Sequence, residues 1–504
     1  MMFKVFKYNL TNHPSSLDPA FAKSLANITV CNQLFNTLVA LDENGNLQPD
    51  IARKWEISSD GLRYTFHLHN NIMFHEHSCF TYDTDRLLTA FDVKYSLERL
   101  NDSSVNSPGS WVLDGKLAQN ESIHVLDDST LSIKLSQPFQ PFLSLLTTQY
   151  CSIVPETVIN CLGSEYKNNP IGSGPFLFKR WIKNQNIFLN RNQDYYGEMG
   201  DLVGVKVSFI KDRKIAFLEM LNGSIDYFSG LESTFISQML EKSGEIKAEH
   251  DDRIKLIKSP FLNTEYIGFN LDGIGEKHPL SNKLFRRALN AAIDKQQLVD
   301  VLRNSIGEAA TNGFAPPTLY TNKSLIPSID NISAKELLIQ SGISATSVTE
   351  LEINTNAEYQ DLMLFIAKEW EKLGLRVKVN LLESSVLREG MRNGNIHIFR
   401  ASWIGDYPDI ENFMSLFYSK NGAPPNYSRF KNREFDILYD QVNLEKDLYK
   451  REEIYSQMEH IILSEMPVIP LFYDQSSNFY STSIQNPSNN LMNIPNVKDI
   501  IKTN

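Results

Sequence analysis

Hydrophobic and polar positions alternate along the first third of the chain with the period of two that a half-buried strand imposes. Met1 to Tyr8 reads this way, and so does Leu62-Arg63-Tyr64-Thr65-Phe66-His67-Leu68. Asn44-Gly45 and Asp60-Gly61 each lie between apolar runs, which predicts two hairpins. The period lengthens over Ala90 to Leu100, a predicted helix with Thr89 as N-cap. Asp127 to Thr130 then predicts a turn into a strand over Leu131 to Leu135. This part is mixed α+β.

After Gly172-Ser173-Gly174-Pro175 the pattern predicts strands at Phe176 to Trp181, Ile187 to Asn190 and Val203 to Ile210. A helix follows over Ile215 to Leu221, closed by Asn222-Gly223. Ser281 to Ala292 and Lys295 to Leu302 are two helical patterns, the second capped by Asp294. Gln360 to Leu373 is the clearest helix, ended by Gly374, and Leu375, Val377, Val379 and Leu381 then alternate as one predicted buried strand face. Helix, tight turn and strand in succession are α/β logic.

At 504 residues the chain exceeds what one core serves, so two or three domains are expected. No repeat and no low-complexity linker divides it, so the joints must be compact. A formal charge of −11 argues against nucleic acid or an anionic membrane surface as the main partner. No apolar run reaches the roughly 18 to 20 residues that a membrane-spanning helix needs. The start lacks the apolar core and cleavage site of a signal peptide, which predicts either a cytoplasmic chain or one without its export signal. Cys31, Cys79, Cys151 and Cys161 show no C-x-x-C spacing and read as small buried residues, with Cys151 and Cys161 the first pair to test for a bridge.

Enzyme signatures are missing: no G-x-S-x-G, no phosphate loop, no H-E-x-x-H. Gly273-Ile274-Gly275 lacks the third glycine of a dinucleotide loop and reads as a turn. His67 and His69, then His75, His77 and Cys79, have spacings that a soft divalent metal could use. Chance alternation explains them as well, and nothing elsewhere completes the set.

The run Arg400-Ala401-Ser402-Trp403-Ile404-Gly405-Asp406-Tyr407-Pro408-Asp409 sets a cation, an indole and an acid at short spacing. Such groups suit the grip of a small zwitterion, and so recognition rather than catalysis. A core Trp403 and a turn built by Asp406 and Pro408-Asp409 is the competing reading.

Several segments in order then carry a resemblance. They are Ser16-Leu17-Asp18-Pro19, Asn32 to Val39, Ile51 to Gly61, Tyr64 to Leu68, Leu88 to Leu100, Gly172 to Phe176, Ile267 to Asn270, Phe285 to Asp294, Trp403 to Asn412 and Met466 to Leu471. Together they resemble the family 5 solute-binding proteins of ABC importers, the oligopeptide- and dipeptide-binding group. The resemblance implies a two-lobe α/β periplasmic-binding-protein fold with an extra α+β subdomain in the first lobe. The first lobe is expected at 1–47, 163–269 and 475–504, the extra subdomain at 48–162, and the second lobe at 270–474.

By the same resemblance the chain is a non-enzymatic, cofactor-free, monomeric receptor that traps a peptide, an oligopeptide by preference, between closing lobes. It delivers that peptide to an ABC permease. The expected location is periplasmic or lipid-anchored outside the cytoplasm, the signal being absent from this sequence. Asp406 matches the aspartate that meets the ligand's α-ammonium, Arg400 the arginine that can meet a short peptide's carboxylate, and Trp403 the tryptophan that walls a side-chain pocket. Arginine suits a carboxylate because its planar fork bonds it bidentately. Tyr407, Trp111 and Asn356 complete the candidate lining. Ile353 to Glu358 lacks the arginine of dipeptide-specific members, which speaks against strict dipeptide specificity, and Phe74 to Arg86 is longer than the family's usual turn. A metal chelate, haem or sugar on the same scaffold, or a hydrolase, are the alternative functions, since fold does not fix ligand.

Overall fold

The computed structural model describes residues 4–230, 236–329 and 332–503. They form two compact units. The first comprises Met1–Met239, Ile246–Ser259 and Ser476–Asn504, the second Leu240–Glu245 and Pro260–Gln475. The main passages of chain between them lie inside two long strands, Ile254–Phe269 and Val468–Ser481, which explains why no linker composition marks the joints.

In the first unit, Val5–Asn9 runs parallel to Gly204–Ser208 and to Tyr227–Ser229, and the sheet continues through Asn186–Arg191 to Phe176–Ile182. A separate four-stranded antiparallel sheet orders Ala52–Ile57, Arg63–Leu68, Thr130–Lys134 and Ile123–Asp127. The helix Ala90–Asn101 begins with a capping box, Thr89 and Asp92 exchanging bonds, as the Thr89 cap predicted. The turn Gly172-Ser173-Gly174 lies so close to Leu34 that a Cβ at either glycine would collide with the Leu34 backbone.

Cys31 and Cys151 are buried free thiols, as read from the sequence, but Cys79 and Cys161 are not: a bridge joins these two rather than Cys151 and Cys161, the first pair to test. Cys151 points at the Leu145 carbonyl, 3.7 Å away, whereas Cys161 lies exposed on the helix Glu156–Leu162, where the 74–86 segment can reach it. Spacing alone cannot give connectivity. The bridge takes Cys79 out of any metal set, and His75 is buried with its Nε2 3.0 Å from the Gly174 carbonyl. That segment closes at its base, where the Phe74 N–H donates to the Arg86 carbonyl at 2.7 Å.

In the second unit, Leu351–Thr355 runs parallel both to Val377–Leu381 and to Ile398–Ile404, and the latter pairs antiparallel with Ile254–Phe269. The helix Gln360–Glu371 covers this sheet, its Met363, Ile366 and Trp370 packed with Ile267, Ile353 and Ile398 in one core. Trp370 is fully buried because its indole N–H donates to the Leu289 carbonyl at 2.9 Å. The predicted buried face of the edge strand holds through Leu375, which is buried, and Val377 and Val379, which pack half-buried against the core, but ends at Leu381, which is 46% exposed. No helix among the described residues is long and apolar enough to cross a membrane.

Candidate functional site

Three parallel strands of the second unit, Leu351–Thr355, Val377–Leu381 and Ile398–Ile404, end at the same edge of the sheet. In open α/β sheets this carboxyl edge is where ligands bind, because loops there can diverge and present side chains. Asn356 follows the first of these strands, and Gly405 to Asp409 follows the last. Arg400 to Ile404 thus lies in a strand, and Gly405 to Asp409 forms a loop that leads into the short helix Ile410–Met414.

The loop is fixed from below. The Gly405 N–H donates to the Leu262 carbonyl at 2.7 Å, and a Cβ at Gly405 would sit 3.2 Å from the Phe413 ring and 3.3 Å from Leu262. Asp409 caps the helix through the Glu411 N–H at 2.9 Å. The same carboxylate meets Arg451 at 3.0 Å and the Tyr455 hydroxyl at 3.1 Å, both on the helix Leu448–Glu465. Asp409 is therefore a structural anchor.

Asp406 has a different setting. It is open to solvent, yet protein crowded around it removes enough water to raise its carboxyl from 3.8 to about 6, while a bond to Asn412 pulls the other way. Among the described residues it has no basic partner. Its backbone N–H donates to Asn412 Oδ1 at 3.2 Å, and the Trp403 indole N–H donates to the same oxygen at 2.9 Å. One buried amide thus sets the acid and the indole together.

Arg400 and Tyr407 are placed otherwise than as free contacts. Arg400 is 7% exposed and directs both Nε, at 2.8 Å, and Nη2 onto Glu265 Oε2. Its guanidinium carbon lies 3.1 Å from the centre of the Tyr359 ring. Burial works against its charge, but Glu265 and Tyr359 more than offset that and hold the guanidinium above its ordinary value. Tyr407 is 4% exposed and gives its hydroxyl to Glu411, which also receives the Tyr439 hydroxyl. It secures the helix rather than facing out.

Asn356 donates to Ser384 Oγ at 3.1 Å, and its Oδ1 is buried with no partner among the described residues, an acceptor available at the carboxyl edge. Trp111 belongs to the first unit, in the helical turn Ser110–Val112, 36% exposed, with its carbonyl accepting Lys116 Nζ at 2.9 Å. The structure therefore joins Asp406 and Trp403 through Asn412, places Asn356 after the neighbouring strand on the same edge of the sheet, and gives Arg400 and Tyr407 partners of their own. Sequence reasoning missed Glu265, Tyr359 and Asn412. A lone acid in the apolar stretch Leu262 to Phe269 and an amide amid Ile410 to Met414 were the available signals, since a buried polar group needs a partner.

Residues 46–425 match the bacterial extracellular solute-binding proteins, family 5 Middle. The chain belongs to this family. Among curated proteins it is 27% identical over 490 residues to heme-binding protein A of Haemophilus influenzae, covering 92% of this chain and 86% of that one. It is 28% identical over 493 residues to the periplasmic murein peptide-binding protein MppA of Escherichia coli, with the same coverage. The solved periplasmic binding protein DppA of Helicobacter pylori, in complex with the peptide STSA, superposes with a TM-score of 0.81 at 26% identity, over 99% of this chain and 98% of that one. The architecture of this family member is accordingly that of a two-lobe periplasmic binding protein.

Proposed function

We propose that this protein is the peptide receptor of an ABC importer, working outside the cytoplasmic membrane and handing its ligand to a permease. Asp406 receives the peptide's α-ammonium. The observation that carries this reading is a solvent-open carboxylate without a basic partner among the described residues, set beside an indole through the shared Asn412 oxygen on the carboxyl edge of the sheet. Such an acid is completed by a cation, and an enclosed ammonium needs an anion in turn. Trp403 lines the space for an adjoining side chain, and Asn356 Oδ1 is an acceptor for a peptide N–H. Backbone bonding of this kind accepts many sequences.

Two observations support the setting. The STSA peptide held by the H. pylori relative is a ligand of the proposed class. The Cys79–Cys161 bridge suits an oxidising compartment, as the periplasm is, whether the protein is free or lipid-anchored there. Residues 48–162, which include the separate four-stranded sheet, are read as a subdomain of the first lobe. Native mass spectrometry of the purified protein tests the function: peptide masses released intact, and returned intact after incubation, are expected. Release of haem or a metal chelate, or cleavage of the peptides, would contradict it.

A further inference from the structure

The position expected to read a short peptide's carboxylate is already neutralised from within. Arg400 commits Nε and Nη2 to a single oxygen of Glu265, and the two side chains are 7% and 3% exposed as whole residues. Tyr359 covers the guanidinium face. The pair lies in one ladder, where Ser402 opposes Glu265 and Ile267 opposes Arg400, so the two side chains share one face of the sheet and meet along the diagonal. Close by, Arg303 is bonded to Asp474, which also draws Asn263 at 3.5 Å. Two cations and two anions balance, and among the described residues no further cation is bonded to Glu265 to release it from Arg400.

From this arrangement we infer that Glu265 is a specificity-determining residue: by holding Arg400, it makes this part of the site receive an uncharged peptide unit and refuse a free C-terminal carboxylate. The inference rests on the peptide reading above and narrows it to peptides whose chain continues past Arg400. A ligand carboxylate placed on Arg400 would have to share it with Glu265, and two like charges on one guanidinium repel in a buried setting. A peptide carbonyl can use the remaining Nη1 donors without disturbing the pair. An arginine alone at this position would do the opposite, and the acid on the neighbouring strand decides between the two outcomes.

The test is calorimetry with alanine peptides of two to six residues, each as free acid and as C-terminal amide, on the whole protein. For the native protein no length is expected at which the free acid owes its advantage over the amide to Arg400. In Glu265→Gln, one length should gain an acid-over-amide preference of about tenfold or more, because Arg400 is released to the ligand. Equal acid-to-amide ratios in Glu265→Gln and the native protein at every length would overturn the inference. An acid preference of the native protein that disappears in Arg400→Met would overturn it as well, and that comparison remains decisive if Glu265→Gln fails to fold. Either result leaves the peptide reading standing. Failure of every acid and amide peptide to bind the native protein would remove that reading and this inference with it.

Discussion

The Trp403 indole and the Asp406 backbone are joined through one oxygen, Asn412 Oδ1, at 2.9 and 3.2 Å. Asn412 is 4% exposed, so neither bond is exchanged for water without opening the helix Ile410–Met414. Asn412→Ala should therefore lower stability by about 1–3 kcal/mol, since buried donors lose their acceptor. Peptide affinity should fall with it, by about tenfold, as the indole and the carboxylate lose their common register. Thermal unfolding and calorimetry check the two effects. Asn412→Asp keeps the acceptor but adds a like charge beside Asp406, and is expected to weaken binding while disturbing the fold less.

Asp406 gives the site a pH dependence with a defined sign. Its folded-state value, raised to about 6 by loss of water, lies above its ordinary 3.8. The stability tied to this group is fully present below 3.8 and is lost as pH rises through about 6, because ionisation is disfavoured in the folded protein. Asp406→Asn should thus raise the melting temperature of the ligand-free protein at pH 7.5, and the gain should vanish by pH 4. Affinity for a free-amine peptide runs the other way, falling between pH 7 and pH 5 as the carboxyl takes up a proton. Melting and binding curves across that range check both.

The Cys79–Cys161 bridge closes 82 residues of chain. Cys79→Ser/Cys161→Ser should cost about 2–4 kcal/mol and speed amide exchange in the 74–86 segment. Alkylation of the unfolded, unreduced protein is expected to label two cysteines, Cys31 and Cys151, and four after reduction. Mass spectrometry reads the counts directly. Labelling of Cys161 without reduction would refute the pairing.

Glu459 is fully buried and accepts the Phe314 N–H at 2.6 Å and the Ala315 N–H at 2.7 Å, one on each oxygen. Burial pushes its carboxyl up to about 7 against the pull of those two donors. Its stability contribution is greatest below 4.5 and is lost as pH rises through 7. Glu459→Gln leaves one N–H without an acceptor, which should cost about 1–3 kcal/mol at pH 6. That deficit should shrink at pH 8, where the native protein must itself ionise a buried acid. Denaturant unfolding at the two pH values measures the difference.

Local signals in the sequence carried most of the elements. The Thr89 cap, the Asp294 cap, whose Oδ1 accepts the Gln297 N–H at 2.9 Å, and the helix starting at Gln360 all depend on neighbours within four residues. The two hairpin turns join paired strands for the same reason. What depended on distant partners was not legible. Leu381 continues an apolar alternation but closes an edge strand, where it is left 46% exposed. Cys161 chose Cys79 over the nearer Cys151 because chain folding, not spacing, sets the approach. At the site, the sequence marks Arg400 and Asp406 as charged residues on one segment. Their difference in state comes from Glu265, 135 residues before Arg400, on a strand that lies alongside only in the fold.

Receipt of a peptide's α-ammonium by Asp406 is read from the binding of one set of tetrapeptides with free and with N-acetylated termini. The measurement is made on the native protein and on Asp406→Asn at pH 7.5. Acetylation should weaken binding to the native protein by at least about thirtyfold, since it removes one partner of an enclosed charge pair. Asp406→Asn should lose affinity for the free-amine peptides and no longer distinguish them from the acetylated ones. Equal affinity of the native protein for both forms would rule Asp406 out as the ammonium site.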